Sequence, residues 1–328
     1  MFKNKTIFIS GGTGSFGLNF SKYIIENYNF KKIIIYSRDE LKQFEMQNSI
    51  PFKNNKKLRF FIGDIRDLER LNTALRDVEI VIHAAALKQV SSSEYNPFEA
   101  VKTNIIGSQN IITASINQNV KQVIALSTDK ACSPLNLYGA TKLCAEKLFV
   151  NANSIAGKKN IKFSVLRYGN VNGSRGSVMP LFLKKKQNNE SLFITDKRMT
   201  RFSIKMSSAI NMVLWGLKNF YGGEILVPKL PSYRVVDLAK ALDMKYKISG
   251  IRQGEKVHED LISLSESMNL VKIKNYYLIL KDKQKDLMKH YKKKGANIVV
   301  DNFEYNSYLN KDFLSIETLK SILMNLDD

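Results

Sequence analysis

Five short apolar runs organise the first 130 residues: TIFIS (6–10), KKIIIYS (31–37), LRFFIGD (58–64), VEIVIHAAA (78–86) and KQVIALST (121–128). Each is nearly continuously apolar rather than alternating, which is the pattern of strands buried on both faces. Helical segments separate them, so the chain predicts alternating strands and helices, the signature of a doubly wound parallel α/β sheet of Rossmann type. Right-handed crossovers gather the carboxyl ends of such strands on one rim, where ligands bind. This nucleotide-binding unit is expected over residues 1–170. From 171 to 328 the character changes, predicting a smaller C-terminal substrate lobe with some segments returning to the sheet. No low-complexity linker or repeat interrupts the chain.

The rim positions carry the first candidate chemistry. TIFIS runs directly into GGTGSFG, where Gly11, Gly14 and Gly17 recur every third residue. Glycines permit a tight turn and a close backbone approach, and a following helix offers free amides to a pyrophosphate. Thr13, Ser15 and Phe16 of that turn join the glycines as expected cofactor contacts. The second run ends in Ser37 and Arg38, where an NAD site would place a carboxylate on the ribose 2′-hydroxyl. Arg38, with Lys42 one helical turn on, fits a 2′-phosphate and points to NADP; Asp39 and Glu40 keep NAD open. Asp64 with Ile65 is placed to meet the adenine, and the small Ala84, Ala85 and Ala86 allow close approach of the cofactor's middle.

The segment STDKACSPLNLYGATK (127–142) puts Tyr138 and Lys142 one helical turn apart beside Asp129 and Lys130. Positions i and i+4 share a helix face, so the Lys142 ammonium is expected to favour a Tyr138 phenolate able to take a proton from a sugar hydroxyl. On its own, Tyr-x-x-x-Lys describes many solvated helix faces. Here it follows a strand of the predicted nucleotide-binding sheet.

Composition narrows the class. A chain of 328 residues with 44% hydrophobic content can bury one large core and a smaller lobe. No run of about eighteen apolar residues occurs and no signal peptide precedes Thr6, so a cytoplasmic protein without a membrane partner is expected. Cys132 and Cys144 are too few for a disulfide framework and lack metal-ligand spacing, so no metal is expected, and Cys132 reads as a small filler. The net charge of +21 raises the question of nucleic acid. The basic clusters at 184–186 and 292–294 have no interleaved aromatics, and Lys, Asn and Ile are all abundant, so no nucleic-acid partner is expected. A dianionic nucleotide ligand still benefits from the positive field.

Beyond Asn170, the turn-rich RYGNVNGSRGSVMP (167–180), then Thr195, Arg201 and IRQGEKVHE (251–259) supply polar and basic groups suited to a diphosphate and a sugar. Taken with GGTGSFG, IYSRDELKQ, FFIGDIRDLERLN, IHAAALKQV, EYNPFEAVKTN, ALSTDKA, NLYGATKL and MTRFSI, these motifs resemble the extended short-chain dehydrogenase/reductases. Within them the chain resembles the inverting UDP-N-acetylglucosamine 4,6-dehydratases of pseudaminic acid biosynthesis, which serves flagellin glycosylation. The resemblance spans nearly the whole chain; after about Glu266 only IVVDNFEYNS (298–307) is similar. Gln89 and Ser91 depart from the family's KHVP loop and Gln253 from its IRPGEK loop, which bears on substrate affinity and loop rigidity rather than reaction type.

The resemblance implies catalytic positions at Thr128, Asp129, Lys130, Tyr138 and Lys142, and adds Lys88 to the NADP contacts together with Tyr138 and Lys142. It implies that Lys88, Asn170, Arg175, Thr195, Met199, Arg201, Arg252 and Glu255 hold UDP-N-acetylglucosamine. The implied chemistry is oxidation at C4 with Tyr138 as base, removal of the C5 proton by Lys130, loss of the C6 hydroxyl assisted by Asp129, and reduction at C6 with inversion at C5. A UDP-sugar 4-epimerase would use Tyr138 and Lys142 without needing Asp129 and Lys130, and a non-catalytic NADP-binding regulator would not need Tyr138. A homo-oligomer is expected, a dimer or a ring of dimers such as a hexamer, built through residues 94–118 and the Tyr138 helix.

Overall fold

Each of the five apolar runs forms a strand: β1 Thr6–Ser10, β2 Lys32–Ser37, β3 Leu58–Ile62, β4 Ile80–His83 and β5 Gln122–Thr128, followed by β6 Lys162–Tyr168. In the computed structural model, which describes all residues except 158, 282–284, 300, 301 and 328, they pair in parallel in the order β3-β2-β1-β4-β5-β6. Val300 and Asp301 of the IVVDNFEYNS motif therefore lie outside the described residues. All five residues of β1 are buried, as a central parallel strand covered on both faces requires. The strand order reverses between β1 and β4, creating the crevice at which open α/β sheets bind ligands.

The sheet continues past β6. Ile225–Pro228 pairs with it in parallel. Tyr276–Ile279, Leu270–Ile273 and Asn297–Ile298 then extend that edge antiparallel, giving ten strands. A second apolar cluster, separate from the sheet's core, packs Met179, Phe182 and Leu183 against Leu238, Leu319 and Leu323. It is built from the helices Val178–Gln187, Val235–Ala241 and Ile316–Asp327. A three-stranded sheet of Asn170–Val171, Thr200–Ile204 and Ser232–Arg234 links the end of β6 to that cluster. The 184–186 lysine cluster occupies the last turn of its helix, where cations complement the exposed carbonyls and the dipole. Among the described residues no helix is long and apolar enough to cross a membrane.

Two local features set the site. The helix Leu137–Ile155 is capped by Asn136, whose side chain accepts from the Gly139 amide at 2.8 Å. A Cβ on Gly139 would stand 2.2 Å from the Lys130 carbonyl oxygen, so glycine is what lets this helix start against the turn that carries Asp129 and Lys130. The second feature is a π-helical turn, Lys102–Ile106, between the helices Pro97–Val101 and Gly107–Asn117. Asn104 in it accepts from the Leu87 amide at 2.8 Å and donates to the Leu87 carbonyl at 2.9 Å and to Thr141 at 3.0 Å. It thereby ties the loop after β4 to the Tyr138 helix.

Candidate active site

A cleft of about 1240 Å³ opens along the strand ends. Its floor is the glycine turn. Gly11 has φ +65° and a Cβ there would meet the Ala85 amide nitrogen at 2.8 Å, so a side chain is excluded by both conformation and space. The helix α1, Ser15–Asn27, begins at Gly14 without a side-chain cap, which leaves its first amides aimed into the cleft. Thr13 and Ser37 share a hydrogen bond of 2.8 Å between hydroxyls. This cradle fits the pyrophosphate of a dinucleotide. Gly11, Thr13, Gly14, Ser15, Phe16, Gly17, Ser37, Arg38, Lys42, Asp64, Ile65, Ala84, Ala85, Ala86 and Lys88 all face the same cleft.

At the ribose end, the Arg38 guanidinium lies 3.4 Å from the Asp64 carboxylate, which Arg66 also holds at 2.7 Å. Burial works to raise the Asp64 pKa, but Arg66 and Arg38 outweigh it and keep the carboxylate below its ordinary range. Asp39 does not face the cleft as a free carboxylate: it caps the helix α2, Glu40–Asn48, by accepting from the Lys42 amide, and it pairs with the Lys42 ammonium. Arg38 is half exposed and lines the cleft beside Asp64.

The reacting wall joins Thr128, Lys130, Tyr138 and Lys142. Lys130 sits between two carboxylates, its Nζ 3.1 Å from Asp129 Oδ1 and 3.1 Å from Glu259 Oε1. Asp129 is fully buried behind it and also accepts from the Thr128 hydroxyl at 3.0 Å. Burial, and then Glu259, raise the Asp129 pKa against the pull of Lys130. Burial opposes the Lys130 ammonium, yet Asp129 and Glu259 together overcome it and strengthen its hold on its proton. Glu259, although buried, is kept ionised by Lys130 and Arg201.

Tyr138 and Lys142 differ from the expected pairing. The Lys142 ammonium donates to the Leu126 carbonyl at 2.8 Å, and burial lowers its pKa to about 8 against the opposing charge of Glu146. Burial pushes the Tyr138 phenol up to about 12, and the groups that favour its phenolate are Lys130 and the Thr128 hydroxyl. A buried ammonium needs a hydrogen-bond acceptor, and the Leu126 carbonyl of the preceding strand supplies it here.

The opposite wall presents Asn170, Arg175, Arg201, Arg252 and Glu255. Lys88 Nζ crosses the cleft to the Arg175 carbonyl at 2.6 Å, and the Arg175 amide donates to Ser15 at 3.1 Å. Arg252 and Glu255 close one turn, the Arg252 amide donating to the Glu255 carboxylate at 3.3 Å. Asn136 reaches this turn too, donating to the Gly254 carbonyl at 2.9 Å. Thr195 and Met199 are not on the wall. They are buried in the second cluster, Thr195 donating to Met199 Sδ at 3.0 Å, and stand behind Arg201. Cys132 is buried, and burial lifts its thiol to about 12, so it packs rather than reacts. No group of residues suited to hold a metal ion occurs among the described residues.

A cradle for a dinucleotide facing a lysine between two buried carboxylates allows hydride chemistry and proton transfer on one bound molecule, which is the working arrangement of an extended short-chain dehydrogenase/reductase. The chain belongs to the polysaccharide biosynthesis protein family, whose model matches residues 7–281. It is 51% identical over 331 residues to a UDP-N-acetylglucosamine 4,6-dehydratase (inverting) of Campylobacter jejuni strain 81-176, covering 98% of each chain. It is also 39% identical over 336 residues to a UDP-glucose 4-epimerase of Rickettsia bellii, covering 100% of this chain and 97% of that one. Among solved structures, Pen from Bacillus thuringiensis superposes with a TM-score of 0.89 at 34% identity over 100% of this chain and 99% of its own. The Streptomyces venezuelae dTDP-glucose 4,6-dehydratase DesIV, at 19% identity and a TM-score of 0.69 over 77% of this chain and 86% of its own, shares the fold.

Proposed function

We propose that this chain is an NADP-dependent UDP-N-acetylglucosamine 4,6-dehydratase that inverts C5, a hydro-lyase giving UDP-2-acetamido-2,6-dideoxy-β-L-arabino-hexos-4-ulose. The observation that carries this reading is Lys130 held 3.1 Å from each of two buried carboxylates on the wall of a dinucleotide cleft. Similarity over 98% of both chains to the Campylobacter jejuni enzyme supports it. Arg38, with Asp64 steering it, favours NADP over NAD.

When bound, the nicotinamide supplies a reversible hydride acceptor, so the cycle has no net redox change. Tyr138 takes the proton of the C4 hydroxyl, with Lys130 and Thr128 favouring the phenolate. The resulting ketone can accept enolate charge, so the C5 proton becomes acidic. One proton shift across the 3.1 Å Lys130–Asp129 contact turns an ion pair into a neutral amine and a carboxylic acid. Burial favours that neutral pair. The amine then removes the C5 proton while the acid assists departure of the C6 hydroxyl as water. C6 is reduced and C5 is protonated on the opposite face. Arg252, Arg201 and Arg175 grip the diphosphate and sugar across the cleft.

The Rickettsia bellii relative supports a second reading, a UDP-sugar 4-epimerase, which would use Tyr138 and leave Asp129 and Lys130 idle. Incubation of the purified protein with UDP-N-acetylglucosamine separates them. A product lighter by one water supports the dehydratase; an unchanged mass with altered C4 means the epimerase; no product leaves an NADP-binding regulator. We place the reaction in the cytoplasm, at the start of pseudaminic acid biosynthesis for flagellin glycosylation. Association into a homo-oligomer fits the exposed Tyr95, Phe98 and Ile106 beside the Tyr138 helix.

A further inference from the structure

We propose that Glu259 is a positioning residue of the dehydration step, the fixed anion that makes Lys130 a strong enough base for the C5 proton. This rests on the dehydratase reading of the site. Glu259 is 2% exposed, and its Oε1 approaches Lys130 Nζ as closely as Asp129 does. Its other oxygen has no hydrogen-bond partner among the described residues, an expensive state for a buried carboxylate unless its charge is used. The residue is held in place by its backbone: the Glu259 amide donates to the Ser307 hydroxyl at 2.9 Å, and its carbonyl accepts from the Ser307 amide at 2.8 Å.

The division of labour between the two carboxylates follows from their neighbours. Asp129 has one cation, Lys130, and the Thr128 hydroxyl against its burial and the charge of Glu259, so it can take the Lys130 proton and later give it to the departing hydroxyl. Glu259 has Lys130 and also Arg201, whose Nε lies at 3.7 Å, so it stays charged through the cycle. An anion that keeps its charge beside Lys130 raises the affinity of the amine for a proton and then balances the ammonium that forms. Arg201 does not depend on Glu259 for its own position. Its guanidinium donates to the backbone carbonyls of Thr200, Val257 and Lys256 at 2.8, 3.0 and 3.1 Å. Removing the Glu259 charge therefore strikes Lys130 rather than the grip on the substrate.

The charged and titratable groups around Lys130 define the expected pH behaviour. They are Asp129 on its own turn, Tyr138 on the following helix, Lys88 after β4, Tyr233 and Arg201 on the small sheet, and Glu259. Asp129 and Glu259 are the two carboxylates set against the ammonium, so Glu259→Gln removes one of the two groups that stabilise it. Its loss weakens the base and moves the titration of Lys130 to lower pH.

The test uses the holoenzyme with UDP-N-acetylglucosamine in heavy water, following C5 deuterium exchange by NMR and bound reduced cofactor by absorbance. Glu259→Gln should still oxidise C4 and bind the UDP-sugar with near wild-type affinity. On the plateau above its titration, C5 exchange should fall about tenfold or more, while the limb that rises with pH is displaced downward by about 1–3 units. Glu259→Asp, which keeps the charge on a shorter stem, should recover part of the exchange, and it carries the test if the Gln variant does not fold. Exchange at the wild-type rate with an unmoved profile in both variants would overturn the proposal, as would parallel loss of C4 oxidation, binding and exchange. A wild type that itself releases no 6-deoxy product would instead sink the dehydratase reading, and the Glu259 role with it.

Discussion

Replacing Glu266 with Gln tests how the turn bearing Asp129 and Lys130 is anchored to the sheet. Arg167 on β6 is fully buried and donates to Glu146 at 3.0 and 2.6 Å, to Glu266 at 2.9 and 2.7 Å, and to the Leu261 carbonyl at 3.0 Å. Glu146 is on the Tyr138 helix, and Glu266 also meets the Cys132 thiol at 3.5 Å, so one guanidinium joins the catalytic helix, the catalytic turn and the C-terminal strands. Burial works to raise the Glu266 pKa, but Arg167 and the Ser263 hydrogen bonds outweigh it and hold the carboxyl down to about 2 from 4.5. With only 15% of the side chain exposed, that depression corresponds to about 3 kcal/mol of stability. Breaking a buried pair from one side costs about 3–5 kcal/mol, the same range. Because the folded pKa is the lower one, the contribution is complete above the unfolded value and disappears as pH falls through the folded value. Urea unfolding of both proteins should show Glu266→Gln less stable by about 3 kcal/mol near pH 7, with the gap closing as pH falls below about 4.5. A gap that stays constant with pH would refute the ion-pair origin of the stabilisation.

Three further outcomes are expected. Arg38→Ala should weaken NADP relative to NAD by about 1.5–3 kcal/mol, roughly 10- to 150-fold in the ratio of dissociation constants measured by fluorescence titration; equal losses for both would remove Arg38 from the 2′-phosphate. Tyr138→Phe should abolish C4 oxidation, seen as no rise in bound reduced cofactor on adding the UDP-sugar, while calorimetric binding stays near wild type; continued reduction would mean another base acts at C4. Asn136→Ala loses both a helix cap and the bond to Gly254, so the protein should lose about 1 kcal/mol in urea unfolding and KM should rise with kcat nearly unchanged; a fall in kcat alone would contradict the positioning role.

The strands were legible because β1, β2, β4 and β5 are buried on both faces and therefore nearly continuous in apolar residues, while β3 is an apolar edge strand left half exposed, and their order then placed Gly11, Asp64, Ala84 and Thr128 on one rim. The short Tyr276–Ile279 and Leu270–Ile273 strands, parted by a two-residue turn, carry too little pattern to assign to the far edge of the same sheet. Glu259 was contained in the IRQGEKVHE run, but nothing in its spacing distinguishes a buried carboxylate facing Lys130 from the half-buried Glu255 and Asp260 around it. Asn104 depends on a π-helical turn, and Arg167 on partners from two distant segments; both are products of packing. The expected Lys142–Tyr138 contact failed for a related reason. Helical spacing brings two side chains to one face, but a buried ammonium turns toward an acceptor, here the Leu126 carbonyl. Thr195 and Met199 share the segment of Arg201, yet they lie in the turn before its strand, where Thr195 bonds Met199 and Met199 packs into the second cluster.

Inverting dehydration is tested most directly by the NMR spectrum of the product formed from UDP-N-acetylglucosamine in heavy water by the wild-type protein without added nucleotide. The expected product is a 6-deoxy-4-keto sugar carrying one deuteron at C5, in the L-arabino configuration. A deuterated product that retained the configuration at C5 would contradict inversion, and a C4 epimer with no deuterium at C5 would contradict dehydration by Lys130 and Asp129 altogether.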